Sequence, residues 1–283
     1  MITFATAGKP DSFGKRKFPQ ELPAYLGEFG LNGFEIQCGR GFNITEEACS
    51  FFADCGLRLS LHTPYFISVS GTDETTREKS VNYILESARL ADKIGARRII
   101  VHSGSCAKIS REDAVSLALD TFKKARRLLD ENKLEHIIIC PETMGKINQL
   151  GDLDEVIELC GFDERMLPCV DFGHLNARTF GGIKDKSDYT ACFDKIADKL
   201  GQKRLRELHI HFSKIQYTQS INKGVISGGE KKHLTFADLQ YGPEFEPMLD
   251  EIYERKMQPF IVCESDGTQA EDCKIMLNYY NEL

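Results

Sequence analysis

Eight short apolar segments recur along this chain, and each is followed by a longer amphipathic segment. The short segments are rich in β-branched and aromatic residues, which favour strands, whereas the longer ones repeat apolar residues at helical spacing. The predicted strands cover residues 2–8, 33–39, 58–65, 97–104, 136–143, 167–174, 207–214 and 259–266. Eight strand-helix units within 283 residues fit a (β/α)8 TIM barrel better than a doubly wound sheet. We therefore predict an α/β barrel with its active site at the C-terminal rim of the strands.

Residues 1–283 are predicted to form a single TIM barrel domain, because no linker rich in proline, glycine or serine divides them. Thr45, Ser110 and Asp152 precede acidic residues and have the character of helix N-caps. The longest stretch predicted to be irregular is 214–241, after the seventh strand. Barrel enzymes place functional loops at such positions, so we expect this stretch to serve the site.

Composition excludes several classes of protein. With 41% hydrophobic and 28% charged residues, the chain has the balance of an ordinary globular protein. Its ten cysteines form no CxxC pair, so we expect them to be reduced and the protein to be cytoplasmic. No apolar run reaches the ~18 residues of a membrane helix, and no obligate protein partner is evident. The net charge of −7 argues against a surface that is basic all round, but not against a local basic patch.

Histidines and carboxylates collect at the predicted C-terminal ends of the strands. His136 opens its strand, whereas the other histidines lie at strand ends or in the loops beyond them: His62, His102, His174, His209, His211 and His233. Glu142, Asp171 and Glu264 close the fifth, sixth and eighth strands after apolar runs. An ionised carboxylate is costly there unless it is paired or binds a cation, and imidazoles with carboxylates are ligands of Zn²⁺ or Mn²⁺. A single histidine of this kind is more often a capping group, but the whole set predicts two or three ions bridged by carboxylates such as Glu142.

The order and spacing of these segments resemble the endonuclease IV group of metal-dependent apurinic/apyrimidinic endonucleases, within the xylose-isomerase-like barrels. The resemblance covers essentially the whole chain and is carried by LHTPYFISVSGTDETTREKSVNYILESARLADKIGARRIIVHSGS, PETMGKINQLGDLDEVIELC, CVDFGHLNAR, LHIHFSK and IVCES. It implies a trinuclear zinc centre that cleaves DNA on the 5′ side of abasic sites. The implied ligands are His62, His102 and Glu142 for one ion, Glu142, Asp171, His209 and Glu264 for a second, and His174 and His233 for a third.

The resemblance also implies residues that bind the DNA, and it has two departures. Tyr65 matches a tyrosine that contacts the DNA, and Arg40 matches an arginine that enters it at the lesion. Where the family has an aspartate two residues before the loop histidine, this chain has Lys231, with Glu230 one residue further back. The seventh strand carries His211-Phe212 in place of the usual Asn-Asp, which changes the pocket floor. We expect His211 and Lys231 to contact the substrate, the latter within a locally basic loop.

Two mechanisms remain open from the sequence. In the first, clustered ions flank a phosphodiester and activate water, with Glu142 and Glu264 as the catalytic carboxylates. In the second, a sugar isomerase or epimerase uses Glu142, Asp171, His209 and Glu264 to hold a single Mn²⁺ or Mg²⁺, while the glutamates move protons next to a carbonyl. Only the first mechanism uses His62, His102 and His233 as ligands. A barrel that binds a metal or small ligand without catalysis is a third interpretation, which the intact ligand set disfavours.

Overall fold

The computed structural model describes residues 1–106 and 109–283. Its strands are β1 (Thr3–Ala7), β2 (Gly33–Gln37), β3 (Arg58–His62), β4 (Arg98–His102), β5 (Ile138–Glu142), β6 (Cys169–Asp171), β7 (His209–Phe212), β8 (Lys214–Asn222), β9 (Val225–Leu234) and β10 (Phe260–Cys263). Among the described residues, eight of these strands close into a parallel barrel in chain order, with β10 pairing between β7 and β1. The predicted TIM barrel is confirmed.

Helices surround the barrel, and three of them begin at the predicted N-caps. The helices are α1 (Leu22–Glu28), α2 (Glu46–Asp54), α3 (Glu74–Lys93), α4 (Arg111–Glu131), α5 (Leu153–Cys160), α6 (Phe172–Arg178), α7 (Lys186–Leu200), α8 (Gln202–Arg206), α9 (Glu246–Glu254) and α10 (Gln269–Glu282). Thr45, Ser110 and Asp152 accept hydrogen bonds from backbone N–H groups in the first turns of α2, α4 and α5, so these predicted N-caps are confirmed.

The apolar core lies between the barrel and the helices. Along α3, the residues Val81, Ile84, Leu85 and Ala88 are buried at helical spacing. Full burial of one such valine, leucine or isoleucine contributes about 1.5–3 kcal/mol, so this layer fixes the strands beneath it. The inside of the barrel near its C-terminal rim is polar instead, and that polarity sets the site apart.

Two regions differ from the sequence-based expectation. Most of the stretch 214–241 is regular, because β8 and β9 form an antiparallel hairpin that turns at Lys223 and Gly224 and ends at Leu234. Its strands are mostly exposed and polar, so they lack the apolar alternation that predicts a strand. The sixth strand was expected to reach residue 174 but ends at Asp171, whose side chain caps α6. His174 therefore lies in the first turn of a helix.

The structure contains neither a disulfide bond nor a membrane-spanning helix among the described residues. All ten cysteines are unbridged, and each of them lies in the described part of the chain. Among the described residues, no helix combines the length and the apolar character that crossing a membrane requires.

Candidate metal centre

A cavity of about 370 Å³ opens at the C-terminal rim of the barrel. Histidines and glutamates from several strands and from the hairpin β8–β9 line it, together with a few neutral polar groups. The lining residues are Ala7, Gln37, His62, Tyr65, His102, Glu142, Met144, Lys146, Gln149, His174, Glu230, His233, Glu264 and Gln269. Three groups of potential metal ligands converge around this cavity and on the floor beneath it, and a fourth, fully buried group consists of Cys169, His209 and His211.

The first group consists of His62, His102 and Glu142, from the ends of three adjacent strands. Nε2 of His62 lies 3.3 Å and Nε2 of His102 lies 3.4 Å from Oε2 of Glu142. The other ring nitrogen of His62, Nδ1, donates to the carbonyl oxygen of Thr63 at 2.9 Å. Because a carbonyl only accepts, Nδ1 carries the proton, and Nε2 is the atom available to a cation.

The second group consists of Glu142, Asp171, His211 and Glu264. Nδ1 of His211 lies 3.1 Å from Oε1 of Glu142 and 3.3 Å from Oε1 of Glu264. Asp171 is fully buried, and within the described residues its Oδ2 accepts no hydrogen bond, although Nδ1 of His174 lies 3.2 Å from it. A buried carboxylate oxygen that accepts no hydrogen bond needs a nearby positive charge, so this atom suits a group that receives a cation.

The third group consists of His174, Glu230 and His233, from α6 and β9. Nε2 of His174 lies 3.5 Å from Oε2 of Glu230. Nδ1 of His174 donates to the carbonyl of Thr143 at 2.9 Å, which leaves Nε2 free to bind an ion. His233 packs edge-on against His174, with their ring centroids 5.5 Å apart.

A bulge in β9 places Glu230 and His233 on the same face of the hairpin. Strand residues three apart normally point to opposite faces. Here Gln216 pairs with Lys232 and Tyr217 pairs with Glu230, so Lys231 is an extra residue in β9. The extra residue restores the common face. Sequence spacing put Lys231 where the resemblance implies an aspartate, with Glu230 one residue further back, and the bulge explains how Glu230 reaches the group.

Two glycines allow the hairpin to lie against the loop after β5. A Cβ atom on Gly145 would lie 2.5 Å from Cβ of Glu230 and 3.0 Å from Cδ2 of His174. Gly229 has a φ of 104°, and a Cβ there would collide with the carbonyl of Gly145. The backbone N–H of Glu230 donates to that carbonyl at 3.0 Å. Glycine at both positions therefore permits the contact that brings Glu230 to His174.

The site histidines have strongly shifted pKa values. Burial lowers the pKa of His62, but the hydrogen bond and charge of Glu142 outweigh burial and raise this pKa to about 9. Burial likewise opposes the surrounding carboxylates at His174, where Asp171 and its neighbours raise the pKa to about 9. At His102 burial dominates and lowers the pKa to about 4. His62 and His174 therefore hold protons at neutral pH that a bound cation must displace.

Two of the carboxylates shift in opposite directions. Burial would raise the pKa of Glu142, but hydrogen bonds from His211 and His62 outweigh it and hold this pKa well below the usual range. For Glu264, burial raises the pKa to about 8, opposed by His211 and reinforced by the charge of Asp171. Glu142 is thus a permanent anion at the centre of the site, whereas Glu264 retains a proton near neutral pH.

The donor set fits divalent cations of the Zn²⁺ or Mn²⁺ type. The imidazoles of His62 and His174 are fixed by backbone carbonyls so that Nε2 faces the site, and Asp171 offers a buried oxygen that accepts no hydrogen bond within the described residues. Glu142 belongs to both the first and the second group, which suits a bridging carboxylate. The residues present therefore fit the metal ions that the sequence led us to expect.

The structure brings most of the residues predicted as metal ligands together around the cavity. His62, His102, Glu142, Asp171, His174, His233 and Glu264 all belong to the three groups. In the second group, however, the seventh strand contributes His211 and not His209. Side chains alternate by two along a strand, so both imidazoles point into the barrel, and His211 is the one nearer the rim. His209 lies below it, fully buried, with Nε2 3.0 Å from Oε2 of Glu35, and it shares the fourth group with Cys169 and His211.

Of the residues predicted to bind substrate, Tyr65 lines the metal cavity, whereas Arg40 and Lys231 do not. Tyr65 lines the cavity, is 61% exposed, and stacks on His102 with ring centroids 6.3 Å apart. Arg40 is exposed and lines a separate cavity of about 360 Å³. Lys231 is exposed on the hairpin and is not among the residues lining the metal cavity. His136, expected on the opposite face, is exposed and pairs with Asp92 at 2.8 Å.

Sequence analysis missed one residue of the site, Glu35 on β2. Its carboxylate is fully buried among apolar strand residues and contacts His209 and His211. A signal was present, because Glu35 lies between Phe34 and Ile36 in the middle of a predicted strand, where an ionised side chain needs partners. Those partners come from distant parts of the chain, so the sequence could not identify them.

Curated relatives include both uncharacterized and nuclease-named proteins. The chain is 27% identical over 285 residues to an uncharacterized protein of Methanocaldococcus jannaschii, covering 100% of this chain and 98% of that protein. It is 32% identical over 161 residues to the probable endonuclease 4 of Mycoplasma genitalium, covering 55% of this chain and 52% of that protein. This chain thus matches about half of the endonuclease's length.

Solved structures with the same fold include a protein named as epimerase-like and one named as an endonuclease. A D-tagatose 3-epimerase-like protein superposes with a TM-score of 0.68 at 15% identity, covering 99% of this chain and 97% of that one. Endonuclease IV from Thermus thermophilus superposes with a TM-score of 0.66 at 17% identity, covering 99% of this chain and 100% of that one. The sequence profile of the xylose isomerase-like TIM barrel family matches residues 23–278. The chain belongs to the xylose isomerase-like TIM barrel family.

Proposed function

We propose that this protein is a metal-dependent phosphodiester hydrolase of the endonuclease IV type, which cleaves DNA 5′ to abasic sites with two or three zinc ions. The observation that carries the proposal is that the first and third groups, each with two imidazoles, lie beside the four-residue group. A single-ion enzyme needs only Glu142, Asp171, His211 and Glu264. The convergence of His62, His102, His174 and His233 on the same cavity is accounted for by further ions.

The side chains of the cavity have separate roles in this proposal. When bound, the ions would supply the positive charge that polarises a phosphodiester and promotes ionisation of a water molecule. Glu142, shared by two groups, orients that water at the cavity floor. Glu264 lines the cavity as a ligand of the second group, and an ion bound there would displace the proton that Glu264 holds near neutral pH in the metal-free protein. Lys146 is exposed at the rim and lines the cavity, where its ammonium can contact a phosphate.

The surroundings of the cavity favour DNA as the substrate. Tyr65 and Phe66 are 61% and 49% exposed, and both line a second cavity of about 330 Å³ that shares His102 with the first. Exposed aromatic rings beside a cavity can stack on nucleobases. Lys231 and Lys232 are exposed on the hairpin that carries Glu230, so phosphates on that side meet positive charge. An abasic nucleotide has lost its base stacking and is turned out of the duplex more easily than an intact one.

A sugar isomerase or epimerase is the second candidate, favoured by the second group of ligands. Glu142, Asp171, His211 and Glu264 suffice for one Mn²⁺, and the two glutamates have opposite pKa shifts, as a proton-accepting and proton-donating pair would. This candidate leaves His62 and His102 without a ligand role. Their contribution to activity is therefore the point on which the two functions divide.

The first test combines metal analysis with an assay of two matched variants. We expect two or three equivalents of metal per chain, mostly zinc, and cleavage of a duplex carrying one tetrahydrofuran abasic analogue but not of the intact duplex. His102→Ala should lower cleavage by more than about a hundredfold, since the loss of an outer-shell partner alone costs 10–100-fold. His136→Ala removes an exposed histidine far from the cavity and should cleave normally.

Two results would contradict the nuclease proposal. One equivalent of manganese, or turnover of ketohexoses in place of abasic DNA, would each favour the epimerase. Cleavage of abasic DNA by His102→Ala at the wild-type rate would contradict the role of the first group in binding an ion. We also propose a reducing compartment such as the cytoplasm, because none of the ten cysteines is bridged.

A further inference from the structure

Glu35 accepts several hydrogen bonds inside the barrel, below the metal-ligand groups. Oε2 of Glu35 lies 2.9 Å from the hydroxyl of Ser60 and 3.0 Å from Nε2 of His209. Oε1 lies 3.0 Å from the amide Nε2 of Gln37 and 3.2 Å from Nε2 of His211. Glu35 is fully buried, as are both histidines and Ser60. The carboxylate is thus held by four donors that come from three different strands.

Both ring nitrogens of His211 face carboxylates. Nε2 lies beside Glu35, and the opposite nitrogen, Nδ1, faces Glu142 and Glu264 at 3.1 and 3.3 Å. A cation held by the second group would take the lone pair of Nδ1, so the one remaining ring proton would lie on Nε2 and be donated to Glu35, which only accepts hydrogen bonds. His211 would then face the ion through Nδ1 as His62 does through Nε2 in the first group.

The histidines of the three groups differ in the group that accepts a hydrogen bond from the ring nitrogen turned away from the site. His62 and His174 donate to backbone carbonyls, which any sequence would supply at those positions. His211 donates to a side chain, so its orientation depends on the identity of residue 35. A carboxylate also makes the imidazole a stronger ligand than a carbonyl does, because it offsets the charge that the imidazole gains on binding a cation.

We propose that Glu35 is a positioning residue, which makes His211 a metal ligand through Nδ1 by accepting the hydrogen bond from Nε2. The proposal rests on the metal-dependent function given above, but it concerns ion affinity and not the choice of substrate. His209 belongs to the same arrangement: its Nε2 lies 3.3 Å from Nε2 of His211, and both nitrogens lie beside the one carboxylate. Glu35 thus holds the whole polar layer beneath the second group.

The test is a comparison of Glu35→Gln with Ser60→Ala. A glutamine keeps the shape of Glu35 but offers an amide donor in place of one acceptor, so it cannot accept all four hydrogen bonds. Ser60→Ala also removes a hydrogen bond to Glu35 but leaves His211 untouched. We expect Glu35→Gln to weaken zinc binding at one site by about 10–100-fold in a chelator competition, and to alter the visible spectrum of the cobalt-loaded protein. Ser60→Ala should keep both near the wild-type values.

Two results decide the proposal independently of DNA cleavage. Equal zinc affinity and identical cobalt spectra for Glu35→Gln and Ser60→Ala would overturn it. If Glu35→Gln does not fold, nitrogen-15 NMR of the zinc-loaded wild type replaces the variant, since it reports the proton position of each histidine. A proton on Nε2 of His211 is the expected result, and a proton on Nδ1 would overturn the proposal. A protein that binds zinc as expected but leaves abasic DNA intact would instead contradict the proposed function alone.

Discussion

The first and third ligand groups differ in how the chain builds them. His62, His102 and Glu142 lie at the ends of three adjacent barrel strands, and their backbones are held by the parallel ladder from β3 to β5. Glu230 and His233 lie on an antiparallel hairpin that reaches over the rim from outside the barrel. The first group is thus part of the barrel itself, whereas the third depends on where an added hairpin docks.

This difference predicts how the two groups respond to change. Strand ends in a closed barrel cannot move without breaking ladder hydrogen bonds, so the first group should tolerate substitutions in the loops. The third group depends on close backbone approach at Gly145 and Gly229, and its two hairpin residues are separated by one bulge residue, Lys231. We therefore expect it to bind its ion less tightly and to be the first site lost under a chelator.

The largest effect is expected from Glu142→Gln, because this carboxylate belongs to the first and second groups together. The substitution keeps the shape but removes the anion that His62, His102 and His211 surround. Activity should fall by more than about a hundredfold, since even outer-shell losses reach that range. Metal analysis should show the loss of more than one equivalent. Loss of a single equivalent would mean that the two groups do not share Glu142.

The free energy of unfolding of the metal-free protein should depend on pH through one histidine in each of the two groups, His62 in the first and His174 in the third. The folded pKa of His62 and that of His174 are both about 9, above the ordinary 6.5. The protonated histidines therefore contribute fully to the free energy of unfolding below pH 6.5. This contribution, roughly 3 kcal/mol for each histidine, is lost as the pH rises through 9. Thermal unfolding of the metal-free protein should show this decline, and zinc, which replaces the protons, should stabilise most at the alkaline end. A flat profile from pH 6.5 to 9 would contradict it.

Glu230→Gln should affect the third group alone. Removing its charge weakens the ion there and leaves His62 and Glu142 unchanged, so we expect a loss of about 10–100-fold in affinity for one equivalent. The pH-dependent loss of stability should also shrink, because the charge of Glu230 helps to raise the pKa of His174. Retention of every equivalent under the same chelator would show that Glu230 is not a ligand.

The smallest effects are expected at Lys231. Its side chain is exposed at the bulge, so Lys231→Asp should change metal content by no more than about twofold, as for other surface substitutions. Deleting Lys231 removes the bulge and leaves Glu230 two residues from the histidine, which is the spacing of a regular strand. Zinc titration of the deletion variant should again show the third site. Its loss would mean that the bulge places the hairpin and does not merely set the register.

The strand-end residues could be predicted because the barrel rule connects sequence to space. Once eight strands are parallel in a barrel, the residue that ends each strand lies on one rim, and His62, His102, Glu142, Asp171 and Glu264 follow from that alone. The choice between His209 and His211 could not be made in this way. Both lie on the inner face of β7, and only the depth at which the strand sits in the barrel decides between them.

The hairpin β8–β9, by contrast, could not be predicted from the sequence. Its strands are polar and exposed, so nothing in their pattern predicted them, and the bulge at Lys231 is a matter of register. Glu35 was missed for a related reason, because its partners Ser60, His209 and His211 come from other strands. A buried charge in a strand signals that partners exist, but it does not say which they are.

The sequence by itself determined the fold, the rim that carries the chemistry and most of the ligand types, because periodicity and strand order are local properties of the chain. Only the tertiary structure decided which histidine of β7 joins the second group, how Glu230 reaches the third, and that Glu35 lies beneath them. Those outcomes depend on distances of 3–4 Å between residues far apart in sequence, and closure of the barrel and docking of the hairpin set these distances.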